Sequence, residues 1–354
     1  MKTIGMTGIA TSLACQSENG FTNQEKASQM ELSSLIPHIH GCLHVDQDES
    51  GLRPHRLTKK QLAHFAKNER WNIRANCPAG IRIELVTDSP WMDLELNCGD
   101  YCRPWLSLDV VIDGVLQPTV HADGPPKKWR GRLQLPGSGD RHIVVLLPYS
   151  VTCSISSWGL ADGASCLRAP RPKRQILNVG DSIIQGMTGT GMGSSCAWRL
   201  SQLLEMDMVN QGVGAHVFEV ASWDPDIAVK PSLITCTYGN NDFNTGRSYD
   251  DICKDAKVHL AAIRATFPET PIVLLSPIWR SFEKEKDYAE FVAFGTQLRQ
   301  SLAGFPGMTI LDGQKMVTHR EDRYEDGVHP NDTGFAEFAA NLYKKILNKV
   351  NHQA

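Results

Sequence analysis

The chain has 354 residues, 41% of them hydrophobic and 21% charged, a composition that excludes a disordered polymer and supplies more than one small core. Lys and Arg number 36 against 39 Asp and Glu, for a net charge of -3, which gives no reason to expect a nucleic-acid partner or an anionic membrane surface. No stretch approaches the ~20 apolar residues that span a bilayer.

Residues 1–37 are polar and without period, and read as a flexible leader. Met1–Cys15 has one early lysine and a mildly apolar run, the outline of a weak signal or lipoprotein segment. However, Gly5, Thr7, Gly8, Thr11 and Ser12 interrupt it, which favours the leader. Ten scattered cysteines form no compact framework, and the balance favours a reducing, cytoplasmic setting. Cys98–Cys102 and Cys153–Cys166 remain open as disulfides.

Residues 38–166 carry short β-rich runs at Ile81–Val86, Met92–Leu96, Leu106–Ile112 and His142–Leu147, with a turn signal at Asp113-Gly114. Alternation at Ile81, Ile83, Leu85 and at Leu106, Leu108, Val110 predicts strands with one buried face, and hence a β-sandwich or jelly roll. His38, His40, Cys42 and His44 alternate and would share one strand face with ligand chemistry. No second cluster with ligand spacing follows, so a polar strand edge is expected and no metal.

Residues 167–174, with two prolines and four cations, read as a linker. From 175 to 354 strands and helices alternate. Strands are expected at Gln175–Val179, Leu233–Tyr238, Ile272–Ser276 and Thr309–Leu311. Helices are expected at Trp198–Met206, Tyr249–Phe267, Phe282–Leu302 and Gly334–Val350. Such alternation predicts a parallel sheet covered on both faces.

The chemistry gathers at strand ends of this second half, where open parallel sheets place their active groups. Gly180-Asp181-Ser182 follows the first strand. A serine hydroxyl needs a base, and the base needs a carboxylate to hold it. Asp326-Gly327-Val328-His329-Pro330 offers both, three residues apart in a turn before the last helix. Acyl transfer also needs donors for the developing oxyanion. The N–H of Ser182, the N–H of Gly212 in Asn210-Gln211-Gly212-Val213-Gly214, and the side-chain amide of Asn241 in Gly239-Asn240-Asn241-Asp242 are the candidates.

These four ordered blocks resemble those of the SGNH/GDSL serine hydrolases, across about residues 175–350. The resemblance implies a flavodoxin-like α/β/α domain, with Ser182 as nucleophile, His329 as base, Asp326 as its orienter, and Gly212 with Asn241 as oxyanion donors. The chain departs from the pattern in two places, reading Gly-Asp-Ser-Ile in the first block and Gly214-Ala215 at the end of the second. No Gly-x-Ser-x-Gly elbow occurs, which argues against an α/β-hydrolase. Ile39-His40-Gly41 and Gly51-Leu52-Arg53-Pro54-His55-Arg56-Leu57 resemble the start of the β-sandwich that precedes the hydrolase domain in some bacterial members, and some carbohydrate O-acetyl esterases are similarly built.

Taken singly, Ser182 reads as a helix cap and His329 or Asn241-Asp242 as turn residues; four unrelated turns imitating one catalytic set in order is the less economical account. Gly186, Gly189, Gly191 and Gly193 lack the Lys-Ser/Thr of a phosphate loop and read as a flexible, open wall beyond Ser182. Asp181 is expected to brace its turn. Trp279-Arg280, Met187 and Phe243 are candidate pocket walls.

The expected activity is hydrolysis of a short-chain, acetyl-type ester of a sugar or other bulky alcohol through a serine acyl-enzyme, with no cofactor. The alternatives are an acyltransferase on the same site, a lipase or thioesterase, and, last, a non-catalytic carbohydrate-binding protein.

Overall fold

The computed structural model describes residues 28–124 and 126–350. The possible signal segment and Cys15 lie outside the described residues.

The N-terminal half is built on two antiparallel sheets. One runs Lys128–Gln134, Trp91–Tyr101, Val151–Leu160, Gly51–His55, His44–Asp48. The other runs Leu167–Arg168, Arg82–Thr87, Arg141–Leu146, Trp105–Ile112, Val115–Leu116. Leu52, Leu94, Leu96, Ile83, Leu85, Leu106, Leu108, Val145 and Trp158 fill the space between them. The expected alternation is present, but strand Trp105–Ile112 is buried on both faces after its first residue. Its Val110 faces the sandwich core, while Val111 packs with residues of the C-terminal half. A face that reads as solvent-exposed in sequence is covered by the other half of the chain.

Two further expectations change. Part of the supposed leader is structured: Ser28–Gln29 pairs with Val151–Leu160, and a 3-10 turn, Leu32–His38, buries Leu35 in the sandwich. The linker is partly tied down, because Leu167–Arg168 adds to the second sheet and Arg171 pairs with the Asp207 carboxylate. Between the strands Gly51–His55 and Arg82–Thr87 lie two helices the sequence reading missed, α1 (Lys59–Phe65) and α2 (Glu69–Asn76). Thr58 and Gln61 form a reciprocal capping box on α1, and Asn68 caps α2.

The C-terminal half holds five parallel strands in the spatial order Asp207–Gly212, Gln175–Gly180, Leu233–Thr237, Ile272–Leu275, Met308–Leu311. In chain order this is 2-1-3-4-5, the flavodoxin-like arrangement, whose switch point lies beside the first strand. The short helix α3 (Ser182–Gln185), α4 (Cys196–Leu203) and α7 (Asp332–Val350) cover one face, and α5 (Tyr249–Thr266) and α6 (Glu285–Ser301) the other. Ser195 caps α4 and Ser248 caps α5, each accepting a backbone N–H.

Candidate active site

Ser182 stands directly beyond the first parallel strand, as the first residue of α3. Asp181 caps that helix, its Oδ1 accepting the N–H of Ile183 at 2.9 Å. The opposing turn, 325–330, precedes α7. Gly327 there adopts φ 77°, a left-handed conformation natural to glycine. Asp326 Oδ1 accepts the backbone N–H groups of Val328 and His329 at 3.1 and 2.8 Å, so the carboxylate shapes the turn that carries the imidazole.

The three side chains form one chain of contacts. His329 Nε2 lies 2.8 Å from Ser182 Oγ, and His329 Nδ1 lies 2.8 Å from Asp326 Oδ2. Burial works against the Asp326 charge. The hydrogen bond and charge of His329, with the backbone N–H groups of His329 and Val328, nevertheless hold this carboxyl well below the usual carboxylate range. Arg103, from the N-terminal half, lies 4.0 Å from Asp326 Oδ2. Sequence reasoning had no means of bringing it to the site.

The expected donor Gly212 needs correction. Its N–H donates to Asn210 Oδ1 at 2.8 Å and is spent at the end of its own strand. Its need for glycine is a packing matter, because a Cβ would stand 2.4 Å from the backbone N of Gln185 in α3. The N–H of Gly214 is likewise taken, by Gln185 Oε1. Among the described residues the N–H groups of Ser182 and Ala215 have no hydrogen-bond acceptor. Ala215 holds φ 63°, a left-handed conformation that costs an L-residue roughly 1–2 kcal/mol. The signal available in sequence was the alanine ending the second block, where glycine would adopt this conformation freely.

Asn241 Nδ2 donates to the carbonyl of His216 at 3.0 Å and, more loosely, to Asp181 Oδ2 at 3.3 Å. Burial pushes the Asp181 carboxyl up to about 7. Asp242, pushed up to about 6 by burial, accepts the N–H of Phe218 at 2.9 Å. Asp181 thus does more than brace its own turn, since it also faces the amide of the fourth block.

The glycine-rich stretch after Ser182 is not an open wall. It is largely buried, with Tyr149 donating to the carbonyl of Gly189, Gly193 N–H donating to Asp109 Oδ2, and Thr190 N–H donating to Asp332 Oδ1. Met187 belongs to the core, and Phe243 packs against Tyr249, Phe291 and Phe294. Trp279 stacks on His319 and packs against Tyr324. Arg280 lies over Phe282 and Phe291 and donates to Asn244 Oδ1.

His38, His40, Cys42 and His44 do not share a strand face: His38 ends a 3-10 turn, His40 pairs with Arg82 in one sheet, and His44 begins a strand of the other. Among the described residues, two groups gather enough donors for a cation, His44 with Asp46 and His55, and His64 with His216 and Glu219. The first holds two imidazoles stacked at 4.6 Å, with Asp46 beside His55 at 3.4 Å. The second is a hydrogen-bonded set in which both Nε2 atoms meet Glu219 Oε2. The nine cysteines of the described residues are free thiols. Cys98 stands opposite Cys153 across adjacent strands, so neither pairing suggested by sequence spacing is formed.

A doubly wound α/β domain with a Ser–His–Asp chain at its switch point is the architecture of a serine hydrolase. Residues 179–336 match the model of the GDSL-like Lipase/Acylhydrolase family. A search of curated proteins gives no match. Among solved structures, a salicylyl-acyltransferase from a tetracycline biosynthetic pathway is 20% identical, with a TM-score of 0.72, over 88% of this chain and 94% of that one. A putative GDSL-like lipase from Bacteroides ovatus is 17% identical, with a TM-score of 0.72, over 92% and 98%. A family two carbohydrate esterase from Clostridium thermocellum, in complex with cellohexaose, is 16% identical, with a TM-score of 0.60, over 78% and 94%. These similarities extend through both halves and establish a shared fold. Among the described residues no helix is long and apolar enough to cross a membrane.

Proposed function

We propose that the protein hydrolyses a carboxylic ester through an acyl-enzyme on Ser182. His329 takes the hydroxyl proton as Oγ adds to the ester carbonyl, and Asp326 steadies the imidazolium that forms. The tetrahedral oxyanion is met by the N–H groups of Ser182 and Ala215 and by the Asn241 amide, whose contact with Asp181 is long enough to yield. Collapse expels the alcohol, which leaves with the proton from His329. Water then attacks the acyl-enzyme, giving up a proton to His329, which returns it to Ser182 Oγ as the acid departs and the free enzyme is restored. The observation that carries this reading is the unbroken Oγ–imidazole–carboxylate chain, 2.8 Å at each link.

The substrate we assign is a short acyl ester, such as acetyl, of a sugar or another bulky alcohol. Its support is the joined sandwich and hydrolase architecture, which is also that of carbohydrate esterases with cellohexaose bound. Acyl transfer to a second alcohol is the other reading, favoured by the fold shared with a salicylyl-acyltransferase. A panel of p-nitrophenyl esters and acetylated sugars, assayed with and without alcohol acceptors, tests both. Acid release independent of acceptor supports hydrolysis, and ester product formed at the expense of acid supports transfer. Equal rates for wild type and Ser182→Ala would remove the nucleophile assignment.

A further inference from the structure

The segment Arg56–Asn76 leaves the sandwich and lies against the loop that follows strand Asp207–Gly212. Arg56 is 1% exposed. Its guanidinium has no carboxylate partner among the described residues and is held by carbonyls. Nη1 donates to Asn210 O at 3.0 Å and Gly212 O at 2.7 Å, Nε to Cys77 O at 2.8 Å, and Nη2 to Arg74 O at 2.8 Å. A buried cation committed to carbonyls from two parts of the chain fixes their relative position, because each acceptor lost would leave charge unsatisfied.

Three more contacts continue along the end of that strand and the loop after it. Trp71 Nε1 donates to the carbonyl of Ala215 at 3.1 Å. The side-chain amides of Gln61 and Gln211 exchange hydrogen bonds at 3.1 and 3.2 Å. His64 Nε2 reaches Glu219 Oε2 at 3.0 Å, which His216 Nε2 also meets at 3.3 Å. On its opposite side the loop is held by Asn241 through His216 O and by Asp242 through Phe218 N–H. Ala215 sits inside this clamp, in the left-handed conformation that a non-glycine residue keeps only when its surroundings over-determine it.

We propose that Trp71 and Arg56 are positioning residues for ester cleavage: by holding the carbonyls of Ala215 and Gly212, they fix the turn that turns the Ala215 N–H toward the developing oxyanion. The inference rests on the esterase reading above. It makes the N-terminal half a working part of the oxyanion site, in addition to any surface it offers the alcohol. Neither residue touches substrate, and both act through the backbone of the loop. Donor geometry matters most when charge has built up on the carbonyl oxygen, so the contribution appears in the transition state and not in the bound ester.

Trp71→Phe removes the indole N–H but keeps a ring among Phe65, His64 and His216. With p-nitrophenyl acetate, we expect kcat to fall about 10- to 100-fold, KM to change by less than about threefold, and thermal unfolding to stay near wild type. Affinity for an alkylboronic acid, which forms a tetrahedral anion on a serine Oγ, should weaken by the same factor as kcat/KM. Arg56→Lys, retaining the charge and part of the bonding, should fall between wild type and Arg56→Met. Wild-type kcat in Trp71→Phe would overturn the proposal, as would a loss of kcat with boronate affinity unchanged. Should Arg56→Met fail to fold, Trp71→Phe still decides the matter. Equal turnover by wild type and Ser182→Ala would instead overturn the esterase reading, a result seen before any variant at 71 is made.

Discussion

His329 Nε2 lies 2.8 Å from Ser182 Oγ across 147 residues of sequence, and the contact closes the sheet's carboxyl edge over the start of α3. The two residues are delivered by elements at opposite ends of the domain, the first parallel strand and the turn before α7. Their meeting therefore depends on the whole domain being folded.

Replacing Ser182 by Ala should reduce ester turnover by ~10⁴-fold or more while leaving the melting temperature close to wild type. Asp326→Asn should cost less, about 10²- to 10⁴-fold, because the imidazole keeps its place but loses the acceptor that sets its tautomer. Steady-state rates on p-nitrophenyl acetate measure both. An Asp326→Asn variant as active as wild type would show that the carboxylate does not orient the base.

Asn241→Ala should lower kcat about 10²- to 10³-fold with little change in KM, since its amide is proposed to strengthen only as the oxyanion forms. The variant also frees the carbonyl of His216. A KM effect equal to the kcat effect would place Asn241 in ground-state binding instead.

The Asp181 carboxyl ionises near 3.8 in an unfolded chain and is pushed up to about 7 by burial in the folded one. The folded state therefore binds this proton more tightly, and stability falls as pH rises from about 4 to about 7. Asp181→Asn removes that slope. Its melting temperature should match wild type near pH 4, exceed it by a growing margin through pH 7, and hold a constant margin above. Parallel thermal melts from pH 4 to 8 test the sign, and a margin that shrinks with pH would refute it.

Glu219 runs the other way. The hydrogen bond from His216 comes first among the influences on it and, with His64, outweighs desolvation and holds the carboxyl down to about 2, against 4.5 for the free group. A depressed carboxylate stabilises the fold above its unfolded pKa, and that contribution is lost as pH falls through about 4.5 toward 2. Glu219→Gln should therefore lower the melting temperature most at neutral pH, with the deficit narrowing below about pH 4.5. Partial exposure of this carboxylate keeps the effect modest. A deficit that widens on acidification would mean the His64–Glu219–His216 contact is not the source.

Much of this was legible in the sequence for a definable reason. The parallel strands and long helices of the second half carry strong periods, and Ser182, Asn241, Asp326 and His329 sit where strand ends and turns must fall. Helices α1 and α2 escaped because Lys59–Asn76 is polar enough to pass for loop, although Thr58-x-x-Gln61 was a usable helix-start signal. Gly212 was misread because the fate of an N–H depends on where a neighbouring side chain turns, here Asn210, and spacing alone does not encode that. Arg56 and Trp71 had no local signature for this role, since their acceptors in the second half of the chain lie 144 to 156 residues away.

One apolar cluster joins Val111, Val144, Leu146 and Tyr149 of the sandwich to Ile183, Ile184, Met192 and Trp198 of the hydrolase half. The two halves are consequently not beads on a string. Cutting the chain near residue 170 would strip oily surface bare on both fragments, and grafting this hydrolase half onto a foreign partner would require that the graft carry its own sandwich with it.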